Sequence, residues 1–410
     1  MQPRPCNIHL SLISNYISFD IKLKEVLLVT RRNIILGIGG TLALVGAGTA
    51  WRVTQAPQRA YEPWKTIGGS NLDPRLDAFR HAILAPNPHN MQPWRIRLIG
   101  TDQAEISCDL DRRLPQTDPF DRQIVIGFGC FIELAGIAAS RRGLRMEVEA
   151  FPDGAGEPRL DSRPVARLRF VAQPGLAADP LAAVIRDRRS AKVPYDLARP
   201  VTAENLAILG GAASDRIRFE HTRSENEVRA LRDLASAAFA LEFNTPRVLG
   251  ESIDVLRVGS REIDASPDGI PLSGPFFEAL SLLGADKVRE GARDPQASST
   301  KDQVDKYRKM FEATPGFVWL TGLGNSRGHQ LAAGRSYVRL NLLATQLGLG
   351  LHPVSQALQE YPEMAALFAE ARRLCRVGPD ETLQMLARLG YANPVPPTPR
   401  WPLEAKLIRA

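Results

Sequence analysis

Two segments of this 410-residue chain carry polar side chains at spacings that chemistry can use. The first is Ala85-Pro86-Asn87-Pro88-His89-Asn90-Met91-Gln92-Pro93-Trp94, in which prolines fix the backbone around Asn87, His89 and Asn90 and hold their donors ready in a loop. Asn90 and Gln92 stand two apart. In an extended segment both amides share one side, where they can pair with the carbonyl and N–H edge of a flat heterocycle. The plainer reading is a turn made by Asn and Pro, with Trp94 packing behind it. The second segment is Arg188-Arg189-Ser190-Ala191-Lys192-Val193-Pro194-Tyr195. With Arg188, Ser190 and Lys192 at i, i+2 and i+4, an extended chain offers two positive charges and a hydroxyl to one phosphate. Its plainer reading is a solvated basic cluster that complements the end of the preceding helix.

The elements that must position these segments alternate between helix and strand. Leu76, Phe79, Ile83 and Leu84 have helical spacing and stop at Pro86. Trp94, Ile96 and Leu98 alternate with arginines as a strand, and Ile124 to Arg141 is an apolar helix closed by Gly143. Met146 to Ala150 and Ala166 to Phe170 follow as strands with one buried face. The second half repeats the order: helices near 181–187 and 203–210, a strand at Phe317 to Thr321, an apolar helix from Leu331 to Leu347 ending in Gly348-Leu349, and a strand at Gln384 to Leu389. The match is one of order and not of letters, and it predicts an α+β fold made of two tandem degenerate copies. Residues 71–175 form the first copy and 176–405 the second. An extra helical insert over about 224–315 contains the turn signal Pro267-Asp268-Gly269-Ile270-Pro271, and an insert of that length is commonly a lid or arm.

Composition narrows the function classes. The net charge of +7 invites an anionic partner, but residues 1–60 hold seven basic and two acidic side chains, which leaves the remaining body with only +2. A nucleic-acid surface needs its basic stripe on the folded domain, so none is expected. Cys6, Cys108, Cys130 and Cys375 are scattered and the six histidines form no i, i+3 or i+4 pair, so no protein-held metal is expected. In residues 1–50, Arg31-Arg32 precede an uncharged, glycine-containing run from Ile34 to Ala50. That is the shape of a twin-arginine signal for export of folded proteins, with Gly48-Thr49-Ala50 as a small-x-small cleavage site. At 17 residues the run is also at the lower limit for a membrane anchor. Export in the folded state suits a protein that takes up a cofactor before crossing, to the periplasm or the outer face of the inner membrane. Residues 51–70 are then a linker.

Taken together, R-x-S-x-[RK] followed by an aromatic, and A-P-x-x-x-N-x-Q-P-W, resemble the nitroreductase family of FMN-dependent oxidoreductases. The loop here precedes the phosphate motif, the reverse of the family's order within one subunit, as a fused internal pseudo-dimer requires. With Asp118-Pro119-Phe120-Asp121-Arg122, Leu351-His352-Pro353-Val354-Ser355-Gln356 and the leader, the chain is similar to the Acg-type branch over roughly residues 70–405. The resemblance implies FMN held at its phosphate by Arg188, Ser190 and Lys192. It further implies that Pro86, Asn87, Pro88, His89, Asn90 and Gln92 face the ribityl chain and ring, and that His352, Pro353, Val354 and Ser355 lie along the isoalloxazine. Arg400 of Pro399-Arg400-Trp401-Pro402 would reach the phosphate from the tail. One flavin per chain follows, in a monomeric pseudo-dimer that passes electrons from a small-molecule donor such as NAD(P)H to a nitroaromatic, quinone or similar acceptor. No side-chain acid or nucleophile is required of such a site. The other function the resemblance allows is flavin sequestration, with the insert lying over the cofactor and little turnover.

Overall fold

A computed structural model describes residues 54–67 and 73–408; the leader and its arginine pair lie outside the described residues. Two four-stranded antiparallel sheets organise the body. The first joins β1 (Trp94–Ile99), β2 (Gln103–Cys108), β3 (Leu144–Ala150) and β4 (Pro164–Ala172) in the order β1-β2-β4-β3. The second joins β5 (Ile217–Thr222), β8 (Gly316–Leu323), β9 (Leu349–Pro353) and β10 (Glu381–Tyr391) in the order β5-β8-β10-β9. Strand for strand these are one topology used twice, so the expected α+β architecture of two tandem degenerate copies is the one observed.

Each sheet is preceded by a short helix, α1 (Pro74–Ala82) or α3 (Ala203–Gly210), and each copy runs a long helix between its second and third strands. These are α2 (Arg122–Ser140), which begins two residues ahead of the expected start, and α10 (Arg327–Gln346). Of the described helices, α2 alone is long and apolar enough to cross a membrane. Its side chains are instead buried in the main core, beside Phe79, Trp94, Ile96 and residues of α10.

The sequence pattern misses three strands of the two main sheets and, in the insert, the short pair β6 (Leu256–Val258) and β7 (Ile270–Leu272). In β2, Ala104, Ile106 and Cys108 face inward, and of these only Ile106 is a large, strongly β-forming residue. β5 opens with Ile217 inward and Arg218 outward but loses the alternation at an exposed His221 and a buried Thr222. β9 takes in His352 and Pro353, which were expected in a loop; His352 pairs with Arg388 of β10. Nor is all of 51–70 a free linker. Trp64 is buried and its indole donates to Thr398 O at 2.7 Å, while Ala60 N donates to Asp264 at 2.9 Å.

The insert occupies the place of a hairpin turn. β1 and β2 are joined by residues 100–102, whereas their counterparts β5 and β8 are joined by residues 223–315. That segment carries α4 (Glu225–Asn244), α5 (Pro246–Asp254), β6 (Leu256–Val258), α6 (Gly259–Ala265), β7 (Ile270–Leu272), α7 (Pro275–Leu282), α8 (Ala285–Ala292) and α9 (Ser298–Glu312). α4 and α9 close a second core with Trp319, Val354 and Leu386 of the second sheet's copy. At the other end of the chain, Leu407 forms a parallel bridge to Ile96, with Ile96 N donating to Lys406 O at 2.8 Å. The tail of the second copy thereby extends the sheet of the first.

Candidate functional site

The loop after α1 is built by a capped helix that cannot continue. The Asp73 carboxylate accepts from Arg75 N at 2.8 Å to start α1, and Pro86 and Pro88 remove the donors that a further turn would need. His89, Asn90 and Gln92 then adopt φ of 45°, 56° and 50°, so the segment is coiled in left-handed conformations and not extended. This corrects the expectation that Asn90 and Gln92 present their amides side by side. Gln92 is wholly buried: its Nε2 donates to Pro267 O at 2.8 Å and Asn90 O at 3.2 Å, and its Oε1 accepts from Trp401 N at 2.9 Å. Asn90 Nδ2 donates to Pro399 O at 3.0 Å, and its Oδ1 accepts from Arg400. Asn87 Oδ1 accepts from Gln92 N at 2.7 Å. These amides shape the loop, while the side chains of Pro86, Pro88 and His89 stay half-buried and outside those amide bonds.

Behind the loop, guanidinium groups gather, and among the described residues no carboxylate is hydrogen-bonded to any of them. Arg188 Nη2 and Arg400 Nη2 both donate to Leu84 O, at 3.0 and 3.3 Å, and Arg400 Nη2 also reaches Ala85 O at 3.1 Å. Arg189 and Arg400 lie over the Trp64 ring, 4.5 and 5.4 Å from its centroid. Arg188 and Arg400 are almost wholly buried. Burial pushes the Arg188 guanidinium down to about 10, and burial with the repulsion of Arg188 and Arg189 holds Arg400 well below its ordinary value. Nε and Nη1 of Arg188, Nε of Arg189 and Nε of Arg400 have no hydrogen-bond partner among the described residues. Leaving buried charged donors unmade is costly, and a compact dianion such as a phosphomonoester repairs that defect. The residues present therefore fit a phosphate.

The rest of the second motif goes elsewhere. Lys192 N donates to Ser190 O at 3.0 Å, so the chain turns there, and the side chains of Arg188 and Lys192 part company. Ala191 N donates to Leu351 O at 2.9 Å, which sets Ser190 and Lys192 beside β9. The Lys192 charge acts on His89, on His352 and on Glu242 of α4. Burial first and Lys192 second push the His89 imidazole down to about 4, and burial with Arg388 and Lys192 holds His352 well below the usual range; both rings are neutral at pH 7. Arg388 only donates, so its contact with His352 Nδ1 at 3.1 Å fixes the Nε2–H tautomer. Val354 is buried in the second core and its N donates to Leu386 O at 2.8 Å, so its side chain is packing. Ser355 O accepts from Gln123 at 3.2 Å, and Pro353 is half-buried at the end of β9.

Residues of the insert meet the loop directly, which the sequence pattern does not disclose. Gly269 N donates to Asn90 O at 3.3 Å, and Asp268 accepts from Trp401 Nε1 at 2.7 Å, from Arg257 at 2.6 Å and from Arg112. Glu251 caps the N–H groups of Gln116 and Thr117, each at 2.8 Å. Ser252 Oγ stands 3.0 Å from His89 Nε2, and Gln359 Nε2 donates to the buried Glu242 at 2.9 Å. Trp401 of the tail thus joins the loop to the insert, through its N–H to Gln92 and its indole to Asp268.

No family model matches the chain. Among curated proteins it is similar to two from Mycobacterium tuberculosis. "Putative NAD(P)H nitroreductase Rv3131" is 27% identical over 331 residues, covering 78% of this chain and 86% of the relative. "Putative NAD(P)H nitroreductase acg" is 26% identical over 340 residues, covering 80% and 93%. Among solved structures, a nitroreductase with bound FMN from Desulfitobacterium hafniense shares 14% identity over 57% of this chain and 98% of its own, with a TM-score of 0.34. The FMN and NADPH-dependent nitroreductase NfnB of a Sphingopyxis strain shares 20% over 55% and 97%, with a TM-score of 0.33.

Proposed function

We propose that the chain binds one FMN between its two copies and works as a nitroreductase-like oxidoreductase. The observation that supports this reading is the pair of buried guanidiniums, Arg188 and Arg400, with the half-buried Arg189 beside them, whose donors left without a partner among the described residues suit a phosphate at the end of the Pro86–Gln92 loop. The mycobacterial relatives named as NAD(P)H nitroreductases support it. Arg188 and Arg400 would hold the phosphate, and Ser190, at the turn between them and Lys192, would reach its edge with a hydroxyl that has no partner among the described residues. Lys192, His89 and His352 would lie toward the ring, with Pro86, Asn87, Pro88, Asn90 and Gln92 giving the loop its shape and Pro353, Val354 and Ser355 forming the wall that follows His352. When bound, FMN supplies hydride and electron transfer from NAD(P)H to a nitroaromatic or quinone. The protein contributes position, exclusion of water and the local field.

The test is flavin released per chain from purified residues 51–410, followed by steady-state NADPH oxidation with a nitroaromatic acceptor. About one FMN per chain and turnover are expected; no flavin, even after incubation with FMN, would sink the reading. A second reading, flavin sequestration, is favoured by the Pro267–Gly269 turn bonded across Asn90 and Gln92. Full flavin with no NADPH oxidation would select it.

For localisation we propose twin-arginine export to the periplasm or the outer face of the inner membrane, with Arg31 and Arg32 read by the export machinery and Ile34 to Ala50 as a cleaved signal or an anchor. Replacing both arginines, Arg31→Lys with Arg32→Lys, is expected to leave the protein in the cytoplasmic fraction; unchanged export would overturn the proposal.

A further inference from the structure

A tryptophan from the segment ahead of the first copy sits against the arginine cluster. Residues 58–65 run from the insert to the tail: Gln58 N and Ala60 N donate to the Asp264 carboxylate of α6 at 3.0 and 2.9 Å, and Ala60 O accepts from Arg400 N at 2.8 Å. The single helical turn Glu62–Lys65 then buries Pro63 and Trp64. Trp64 is held at both its ring and its backbone. The indole N–H donates to Thr398 O at 2.7 Å, and Trp64 O accepts from Arg186 Nε at 3.2 Å, two residues before Arg188. The ring so fixed carries the guanidiniums of Arg189 and Arg400, 4.5 and 5.4 Å from its centroid. Thr398 ties ring and guanidinium together, because its Oγ1 also accepts from Arg400 Nη1 at 2.6 Å.

Packing alone does not ask for an indole here. An aliphatic side chain could cover the same backbone; what the indole adds is a face that attracts cations. An acidic side chain would attract them more strongly, but it would take up their N–H groups and cancel the charge that a phosphate needs. The indole does neither. It holds two guanidiniums against one ring while Nε of Arg189 and Nε of Arg400 stay without a partner among the described residues. Resting on the flavin reading above, we propose that residues 58–65 are a strap of the cofactor site and that Trp64 is a positioning residue for the FMN phosphate, setting Arg189 and Arg400 in place without consuming the donors that bind it.

The strap acts on one end of the cofactor only. Riboflavin shares the ring and ribityl chain of FMN and lacks the phosphate, so Trp64 matters for FMN and not for riboflavin. A side chain that merely packed would affect both alike. The coupling also runs in reverse: whatever Trp64 adds to phosphate binding, bound phosphate returns to the docking of the strap. Arg59 and Lys65 stand exposed on the strap, so trypsin can read that docking.

In the experiment the purified protein is stripped of flavin and titrated with FMN and with riboflavin, followed by flavin fluorescence, for wild type, Trp64→Leu and Trp64→Phe. Wild type is expected to prefer FMN by about a hundredfold or more, as two charged hydrogen bonds to the phosphate imply. Trp64→Leu is expected to lose about tenfold or more in FMN affinity, the effect of a desolvated cation–π contact, with riboflavin affinity changed by less than about twofold. Trp64→Phe keeps a ring face without the Thr398 bond and should retain most of the preference. Trypsin on the wild type needs no variant: saturating FMN should slow cleavage after Arg59 and Lys65 about fivefold or more relative to saturating riboflavin. Folded Trp64→Leu that keeps the full FMN preference, or that loses both flavins in equal measure, overturns the role of the strap alone. Should that variant not fold, the trypsin comparison decides, and equal protection by the two flavins overturns the same role. Wild type that takes up neither flavin, or both equally, overturns the strap together with the phosphate site on which it rests.

Discussion

Replacing Arg188 and Arg400 together by alanine is expected to abolish FMN binding while leaving the flavin-free protein as stable as the wild type, or more so. The first half follows from the donors. Arg188 and Arg400 hold three buried N–H-bearing nitrogens with no partner, Nε and Nη1 of the former and Nε of the latter. At roughly 1.5–3 kcal/mol per charged hydrogen bond, losing even two of the bonds they offer a phosphate lowers affinity by about a hundredfold to ten-thousandfold. The second half follows from the repulsion. The two guanidiniums converge on the same Leu84 carbonyl with no carboxylate between them, and each is disfavoured by the other's charge or by its own burial. Without a dianion their charges oppose one another; with one they are matched. FMN should therefore raise the melting temperature of the wild type and leave the double variant unmoved. Full flavin retention in the variant, or a large loss of stability without flavin, would mean that these arginines are structural. Lys192→Ala gives the contrast: its charge acts on His89, His352 and Glu242, so it is expected to change the behaviour of bound flavin more than its retention.

This division within one short motif marks the limit of what spacing reveals. Arg188, Ser190 and Lys192 share a face only if the chain is extended, and an i+2 hydrogen bond from Lys192 N to Ser190 O turns it. The same holds in the loop. Prolines announce that Asn87 to Gln92 is constrained, but the left-handed Asn90 and Gln92 are held by tertiary bonds to Pro267, Pro399 and Trp401, and the left-handed His89 by Ser252, all far away in sequence. What was legible is what local physics decides: the two long apolar helices, the Gly143 and Gly348 stops at positive φ, and the alternation in β1, β3 and β4. The repeat was visible as an order of elements. Its sharper form, an insert standing where the first copy has a three-residue turn, needed β2 and β5, whose inward rows hold too few large residues or lose their alternation. Glu242 and Ser252 had no signal at all. On a helix surface they are ordinary polar letters, and only the docking of the insert makes one of them a buried acid.

The two copies meet most closely where α2 crosses α10, and one atom there is expected to undo the body. A Cβ on Gly334 would lie 1.9 Å from Ile126 O and 2.9 Å from Gly129 Cα; one on Gly129 would lie 2.2 Å from Leu331 O. Neither obstacle is a side chain that can rotate away. Both are backbone of the opposing helix, already pinned by packing on its far face, so relief requires the helices to separate. Overpacking inside a core usually costs about 1–3 kcal/mol, and a clash with main chain on a crossing shared by both copies should exceed that. Gly334→Ala is expected to lower the denaturant-derived stability by more than about 3 kcal/mol and to impair flavin uptake as well, because the residues proposed to hold FMN come from both copies. Gly143→Ala is the matching control. Its φ of 67° is strained for alanine, but no atom lies within 4 Å of the added carbon, so the cost is that of the backbone alone, about 1 kcal/mol. A melting curve for Gly334→Ala no worse than that of Gly143→Ala would mean the helices do not cross glycine to glycine. The reason to expect otherwise is chemical economy: in a single chain that imitates a dimer, the contact between halves need not be reversible, and two glycines let the helices approach more closely than any side chain would permit.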